Sequence, residues 1–410
     1  MVDVVSAPPA PAATASGLRR VLVVLCLTEI TSWGILFYAF PVLLGDIAST
    51  TGWSATALTA AFSAGQLVAA VAGIPVGRWL DRHGPRGVMT AGSLLAVPAL
   101  VVIATAPSLA WFVTGWLLAG VAMGAVLYPP AFAALTRWHG ADRVRALMVL
   151  TLAAGLASTV FAPLTAVLSD RMDWRATYLV LAIVLAAVTV PGHWLGLRLP
   201  WPPRPTAEPG HAHVTDPGPI ARSRPFVALA IALSASGFAS FAVIVALVPL
   251  LTERGLDTGL AAIALGLGGA GQVASRLGYS AFVARTSVRT RTIAIVSAIA
   301  ATTALLGVFT TAAALVAAAI AAGMARGVFT LLQATAITDR WGAAHYGQLT
   351  GLLSAPLTIT MALAPFAATA LASALGGYSN AFLLLGALAA AAAVLSAATI
   401  PTPAPKEHRS

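Results

Sequence analysis

"AGVAMG" at residues 119–124 returns 203 residues later as "AGMARG" at 322–327. Each copy is followed at the same distance by an Arg-Trp pair, Arg137-Trp138 and Arg340-Trp341. Ala162-Pro163 and Ala364-Pro365 stand 202 residues apart, and Gly65-Gln66 and Gly271-Gln272 stand 206 apart. Matches that keep their order at nearly one offset mean that the chain is built as two parallel repeats. The repeated material is apolar. Of 410 residues, 59% are hydrophobic and only 9% charged, too few charges to cover a soluble protein of this size.

Windows of about 20 apolar residues are long enough to cross a bilayer. They fall near 21–44, 55–76, 87–106, 110–136, 145–168 and 176–198, then near 226–251, 258–284, 292–310, 312–338, 346–374 and 378–400. The fold class is therefore an all-α membrane protein, with twelve transmembrane helices arranged as two pseudo-symmetric six-helix bundles. Residues 1–20 read as a disordered N-terminus, because the first 18 are rich in Ala and Pro. They are not a signal peptide, since Arg19-Arg20 follow them and the apolar stretch beyond is long enough to span. Residues 21–199 form the N-terminal bundle, and 200–225, with their prolines and charges, a solvent linker. Residues 226–400 form the C-terminal bundle and 401–410 a tail.

The net charge of +10 and the pI near 10.9 do not indicate nucleic acid. Of the 23 Lys and Arg, all but Arg171, Arg175, Arg254 and Arg326 lie in loops, tails or span ends on one side of the layout. By the positive-inside rule both termini are cytoplasmic. Arginine in place of lysine (Lys406 is the sole lysine) points to a GC-rich bacterial genome, hence to a bacterial inner membrane. The single cysteine, Cys26, excludes an intramolecular disulfide.

Between the second and third windows stands "GRWLDRHGPRG", Gly77 to Gly87. Glycines there permit a tight turn and close helix approach, and Asp81 can accept hydrogen bonds from a helix N-terminus or an arginine. Gly77, Asp81, Arg82, Gly84 and Arg86 match the G-x-x-x-D-R-x-G-R-R/K signature, so the chain resembles the major facilitator superfamily along its whole length. The resemblance implies a secondary transporter whose two bundles rock about a central cavity, with this loop as a conformational latch.

"YAFP" (38–41), "GWS" (52–54) and "DWRATY" (173–178) resemble the monocarboxylate-transporter-like branch, which includes the oxalate/formate antiporters. In that branch a span-8 arginine binds the substrate carboxylate, and "GQVASR" puts Arg276 at the matching place. Two departures stand out. Val42 follows the YAFP proline where eukaryotic members carry lysine, and "GQLTGLLSAPLTITMALAP" (347–365) lacks the span-11 lysine of the antiporters. Arg326 is then the candidate for a second cation.

Three ionisable side chains fall deep inside the windows: Glu29, Arg276 and Arg326. A charge at bilayer mid-depth costs roughly 2.5 to more than 10 kcal/mol, so such residues face a bundle interior or a cavity. Arg326, Thr330 and Gln333 share one helix face, as do Gly268, Gln272, Arg276 and Tyr279. By the repeat offsets Arg326 aligns with Met123 and Arg276 with Ala70, so neither arginine belongs to the common scaffold. Guanidinium forks suit a carboxylate or phosphate. The bland alternatives are an Arg326 bonded to backbone carbonyls and an Arg276 that snorkels to the surface. Gln272, Tyr38, Trp33 and Tyr128 are further candidate substrate contacts, with ordinary packing as their alternative. Glu29 is the candidate proton carrier, with a structural carboxyl as its alternative. Pro129-Pro130 should break or bend the fourth span, and Pro163, Pro356 and Pro365 are candidates to do likewise.

The expected function is secondary active transport of a small organic anion, a carboxylate, with proton symport as the candidate coupling. Efflux of a neutral or anionic drug is the alternative, followed by a transporter-like membrane sensor. The expected partners are the small-molecule substrate, membrane lipid and a proton, with no nucleic acid, and the expected state is a monomer. No nucleotide loop, metal-ligand cluster or catalytic constellation is visible, so neither a cofactor nor enzymatic activity is expected. If Asp81 joins the bundles in the outward-open state, Asp81→Asn should shift the population toward inward-open forms. Cysteine labelling from both faces in a Cys26-free background reads that shift, and an unchanged labelling pattern would contradict it.

Overall fold

The computed structural model describes residues 14–202, 218–341 and 346–401. Twelve helical segments are long and apolar enough to cross a membrane: Ala15–Thr51, Ala55–Leu80, Pro85–Ala104, Leu109–His139, Arg145–Ser169 and Trp174–Gly196 in the first half, then Arg224–Glu253, Thr258–Leu277, Val288–Val308, Ala312–Thr335, Ala355–Leu375 and Tyr378–Ala398 in the second. They are spans 1 to 12 below. Among the described residues there is no strand. The chain is a multi-pass membrane protein of two six-helix halves.

Short polar side chains set where the helices start. Ser54, Asp173, Asp257 and Ser287 each accept from the backbone N–H three residues on. Two of the short motifs thereby gain a structural reading. In "GWS", Gly52 ends span 1 at φ +73° and Ser54 caps span 2. In "DWRATY", Asp173 caps span 6, and the Trp174 indole N–H donates to Thr50 Oγ1 at 2.8 Å, tying span 6 to the end of span 1.

Some boundaries move. Span 1 begins at Ala15, inside the stretch expected to be disordered, because Thr14 Oγ1 accepts from Gly17 N and caps it; residues 1–13 lie outside the described residues. The linker stretch holds a short helix, Gly218–Ala221, and span 7 starts at Arg224; residues 203–217 and the tail beyond 401 lie outside the described residues. Span 4 is interrupted at Leu127, just ahead of Pro129-Pro130, and span 5 at Gly155-Leu156, ahead of Pro163. One continuous helix, Tyr346–Leu375, runs through both Pro356 and Pro365. Span 1 carries a π-turn at Gly34–Tyr38, where Ala39 N reaches back to the Gly34 carbonyl and Gly34 lies flat against the Phe161 ring.

The repeat shows itself in helix-on-helix contacts. A Cβ on Gly120 would collide with the Gly65 carbonyl oxygen, and one on Gly323 with the Gly268 carbonyl oxygen. Gly124 sits likewise against Ala69 O, and Gly327 against Gln272 O. Every one of these pairs is displaced by 203 residues, so spans 2 and 4 pack as spans 8 and 10 do, through small residues that let the backbones touch. This register corrects the Gly-Gln match at 206. Gly65 corresponds to Gly268, and Arg276 therefore occupies the place of Gly73, not Ala70. A three-residue slip is nearly a helical turn, which leaves the same face forward and so hides in an alanine-rich sequence.

The halves meet at the end away from the termini. Thr56 and Ser373 share a hydrogen bond of 3.1 Å, Thr59 and Thr369 are in hydroxyl contact, and Phe366 N donates to Ser63 Oγ at 3.1 Å. Further along the same faces of spans 2 and 11 lie Gln66, Ala70 and Gly73. With Thr358, Met361 and Ala362 they line open space. Spans 2 and 11 thus join the halves at the far end and part toward the terminus-bearing end.

At that end Arg86 of the "GRWLDRHGPRG" loop donates to Trp194 O at 2.8 Å and stacks on the Trp194 ring, and Gly84 takes φ +80°. Arg82 is exposed, Gly77 meets no neighbour, and the Asp81 side chain lies outside the described residues. In the second half Arg340 donates to Thr292 Oγ1 and Thr399 O, pinning the ends of spans 9 and 12, while Arg291 pairs with Asp339. Burial pulls the Arg340 guanidinium down to about 10, opposed by the nearby Asp339 and reinforced by Arg291, so it stays charged at neutral pH.

Gly323→Val should destabilise the protein by about 1–3 kcal/mol or more, as overpacking at a closed contact does. Gly73→Ala should hold or raise stability, because a Cβ there meets nothing. Thermal unfolding of the purified variants reads both, and equal unfolding temperatures would contradict the packing.

Candidate functional site

A cavity of about 250 Å³ lies between the halves at the level of the span 1 π-turn and the span 4 and span 5 breaks. Trp33, Tyr38, Tyr128, Gln272, Arg276 and Arg326 all line it. Four spans deliver these six side chains. The π-turn re-aims span 1, so that Trp33 before it and Tyr38 at its end both face inward. The break at Leu127 starts a new helix at Tyr128, whose ring lies 5.1 Å from Trp33 and 4.9 Å from Phe132.

The two arginines are held differently. Arg326 is 7% exposed, and its Nε donates to Gln272 Oε1 at 2.8 Å. Its Nη2 is buried without a hydrogen-bonding partner. Thr330 Oγ1 returns to the Arg326 carbonyl at 3.0 Å, so the polar stripe Arg326, Thr330, Gln333 lies along the wall. Arg276 Nη1 donates to the Thr151 carbonyl at 2.8 Å, across the boundary between the halves. That carbonyl lies one turn ahead of the span 5 break. Arg276 therefore bridges the halves instead of snorkelling, and its Nε has no partner. Among the described residues no Asp or Glu lines the cavity. Two guanidinium groups face a small space with donors to spare and no counter-charge.

Glu29 lies elsewhere. It is fully buried one helical turn from Trp33, outside the cavity lining, and neither carboxyl oxygen has a hydrogen-bonding partner. Of the two sequence stripes, Gly268 is consumed by the contact with span 10, and Tyr279 is buried away from the cavity. The cavity also takes residues that the sequence reading missed: Ser240, Phe241 and Ile244 of span 7, Thr151 and Gly155 of span 5, and Met361 of span 11. Nothing in sequence separates these from the apolar packing around them. Among the described residues no group of three or more His, Cys, Asp or Glu could hold a metal ion.

Two pseudo-symmetric six-helix halves around a central cavity are the architecture found in alternating-access membrane transporters. The family model of the Major Facilitator Superfamily matches residues 22–312 and again 281–410, and the chain belongs to that superfamily. Within it the similarity lies with the monocarboxylate-transporter-like branch. The chain is 31% identical to human monocarboxylate transporter 11 over 221 residues, 53% of this chain and 46% of that protein, and 29% identical to the mouse protein over 227 residues. The match thus spans about half the length of these relatives. In structure the chain is similar to a bacterial homologue of the human lysosomal transporter Spinster in an inward-facing, unoccupied conformation, with a TM-score of 0.77, 15% identity, and coverage of 95% of this chain and all of that one. The nucleoside transporter NupG follows with a TM-score of 0.71 at 15% identity, covering 94% of this chain and all of that one. At such identity the likeness is one of fold.

Proposed function

We propose that the cavity binds a small organic anion, a carboxylate, and that the protein carries it across a bacterial inner membrane by alternating access. One observation carries the reading: Arg276 and Arg326 line a single cavity that, among the described residues, no carboxylate side chain lines. A guanidinium left with unpartnered N–H groups in a water-poor space favours an anionic acceptor that takes two of them at once. Cationic cargo would meet the opposite charge pattern. The relatives' name states monocarboxylate cargo, which supports the same ligand class.

The arginine distribution puts the termini in the cytoplasm, so the parted end faces inward. In the opposite state spans 2 and 11 would close at that end, with the Asp81 loop between them. Gln272 acts as a positioning residue, since its carbonyl oxygen fixes the plane of the Arg326 fork. Glu29 is the candidate proton carrier because it is the one fully buried acid among the described residues. Its route to the cavity runs past Trp33, whose Nε1 is also buried and unpartnered.

Arg326→Ala should cut carboxylate binding about 10- to 100-fold, the range for losing a charge-assisted hydrogen bond, while the protein stays folded. Arg326→Lys keeps the charge without the planar fork and should fall between the two. Binding and uptake by purified, reconstituted protein read this, and equal activity of all three would remove the anion site. Glu29→Gln should preserve binding and exchange but lose accumulation driven by a pH gradient. Gradient-driven uptake that survives the substitution assigns Glu29 a structural role.

A further inference from the structure

The arginine cavity has a second lobe. A space of about 550 Å³ adjoins it, sharing Trp33, Tyr128, Phe241 and Met361 as a common wall. The shared rings belong to a continuous aromatic collar, in which Trp33 lies 5.4 Å from Phe37 and Phe37 6.0 Å from Phe241.

The 203-residue register explains what this lobe is. The first lobe is walled by spans 8 and 10, the second by their counterparts, spans 2 and 4. Where the first carries Gln272, Arg276, Arg326 and Thr330, the second carries Ala69, Gly73, Met123 and Leu127. The backbone scaffold is the same, down to the glycine contacts at Gly124 and Gly327. Every polar or charged side chain of the first set is replaced by an apolar one. Among the described residues no charged side chain lines the second lobe. Its one amide, Gln66, turns its Nε2 toward the Met123 sulfur at 3.7 Å.

From this we infer that the substrate is an amphipathic monoanion: its carboxylate sits between Arg276 and Arg326, and an apolar body, an aryl or branched alkyl group, crosses the aromatic collar into the lobe walled by Ala69, Gly73 and Met123. The inference rests on the carboxylate reading of the arginine lobe and adds the class of the remainder of the molecule. A dicarboxylate would place its second charge against Met123 and Leu127, where nothing compensates its desolvation. A two- or three-carbon acid would leave the second lobe without a ligand contact. Apolar complementarity in such a pocket is worth tenfold or more per methylene at best, so a phenyl group should change affinity well beyond error.

The test uses the full-length protein in lipid nanodiscs, with empty nanodiscs as the partition control, and three probes: propionate, 3-phenylpropionate and 3-phenylpropionamide. The acid with the ring should bind at least tenfold more tightly than propionate and at least tenfold more tightly than its neutral amide. Gly73→Leu places a side chain into the second lobe at a position where a Cβ meets nothing, so the fold accommodates it. It should reduce the preference for 3-phenylpropionate over propionate to about threefold or less, and Ala70→Leu provides a second obstruction on the same wall. Equal binding of both acids, or a preference untouched by both substitutions, overturns the apolar lobe as the tail site while the carboxylate reading stands. An amide that binds as tightly as its acid overturns the carboxylate reading itself, and failure of both acids to bind overturns the two together.

Discussion

Two guanidinium groups within a bilayer constrain the rest of this structure. Left against lipid, each would cost several kcal/mol, so protein must surround both and supply acceptors. Span 10 meets this for Arg326 by lying in glycine contact with span 8, so that the Gln272 side chain reaches Arg326 Nε at 2.8 Å. Arg276 finds its acceptor in the other half, at the Thr151 carbonyl beside the span 5 break. That carbonyl also accepts from Gly155 N at 3.0 Å, so Arg276 takes its second lone pair. The enclosure of charge therefore couples the halves to each other, and the donors left over face the space between them.

The second half holds both cations, yet the two halves share one backbone plan. Gly65 with Gly120 and Gly268 with Gly323 make equivalent contacts, and those contacts tolerate no side chain. The lining positions, by contrast, are free to diverge, because a cavity wall needs no complementary partner. That freedom makes one scaffold cationic on the Arg276 side and apolar on the Gly73 side. The asymmetry gives a two-part ligand a single orientation across the interface.

Several elements of the site were readable before any tertiary structure. The spacing Arg326, Thr330, Gln333 puts three polar side chains on one face, and lipid leaves that face only the interior to turn toward. Tyr38, Trp33 and Tyr128 stood in the sequence only as candidate contacts with ordinary packing as the alternative, and the tertiary structure brings all three to one cavity. Ser240 and Phe241 were not legible, since a serine beside a phenylalanine in a 30-residue apolar helix gives no sign of which way it faces. Glu29 shows the limit from the other side. Its scarcity as an acid marked it, but the structure buries it fully, one turn from Trp33 and outside the cavity lining.

By itself the sequence determined the number of spans, the duplication and the identity of the deep charges. These follow from local composition, from the length needed to cross hydrocarbon, and from the cost of an unpaired backbone group there. Only the tertiary structure decided that spans 2 and 8 share the 203-residue register of spans 4 and 10, and not 206, because backbone contact between small residues leaves no trace in a pattern of alanines and glycines. It alone decided that Gln272 serves Arg326, that Thr151 serves Arg276, and that Gly73 stands where Arg276 stands in the other half. Which groups meet across helices depends on rotation and depth of packing, and those are set by contacts between residues more than fifty positions apart.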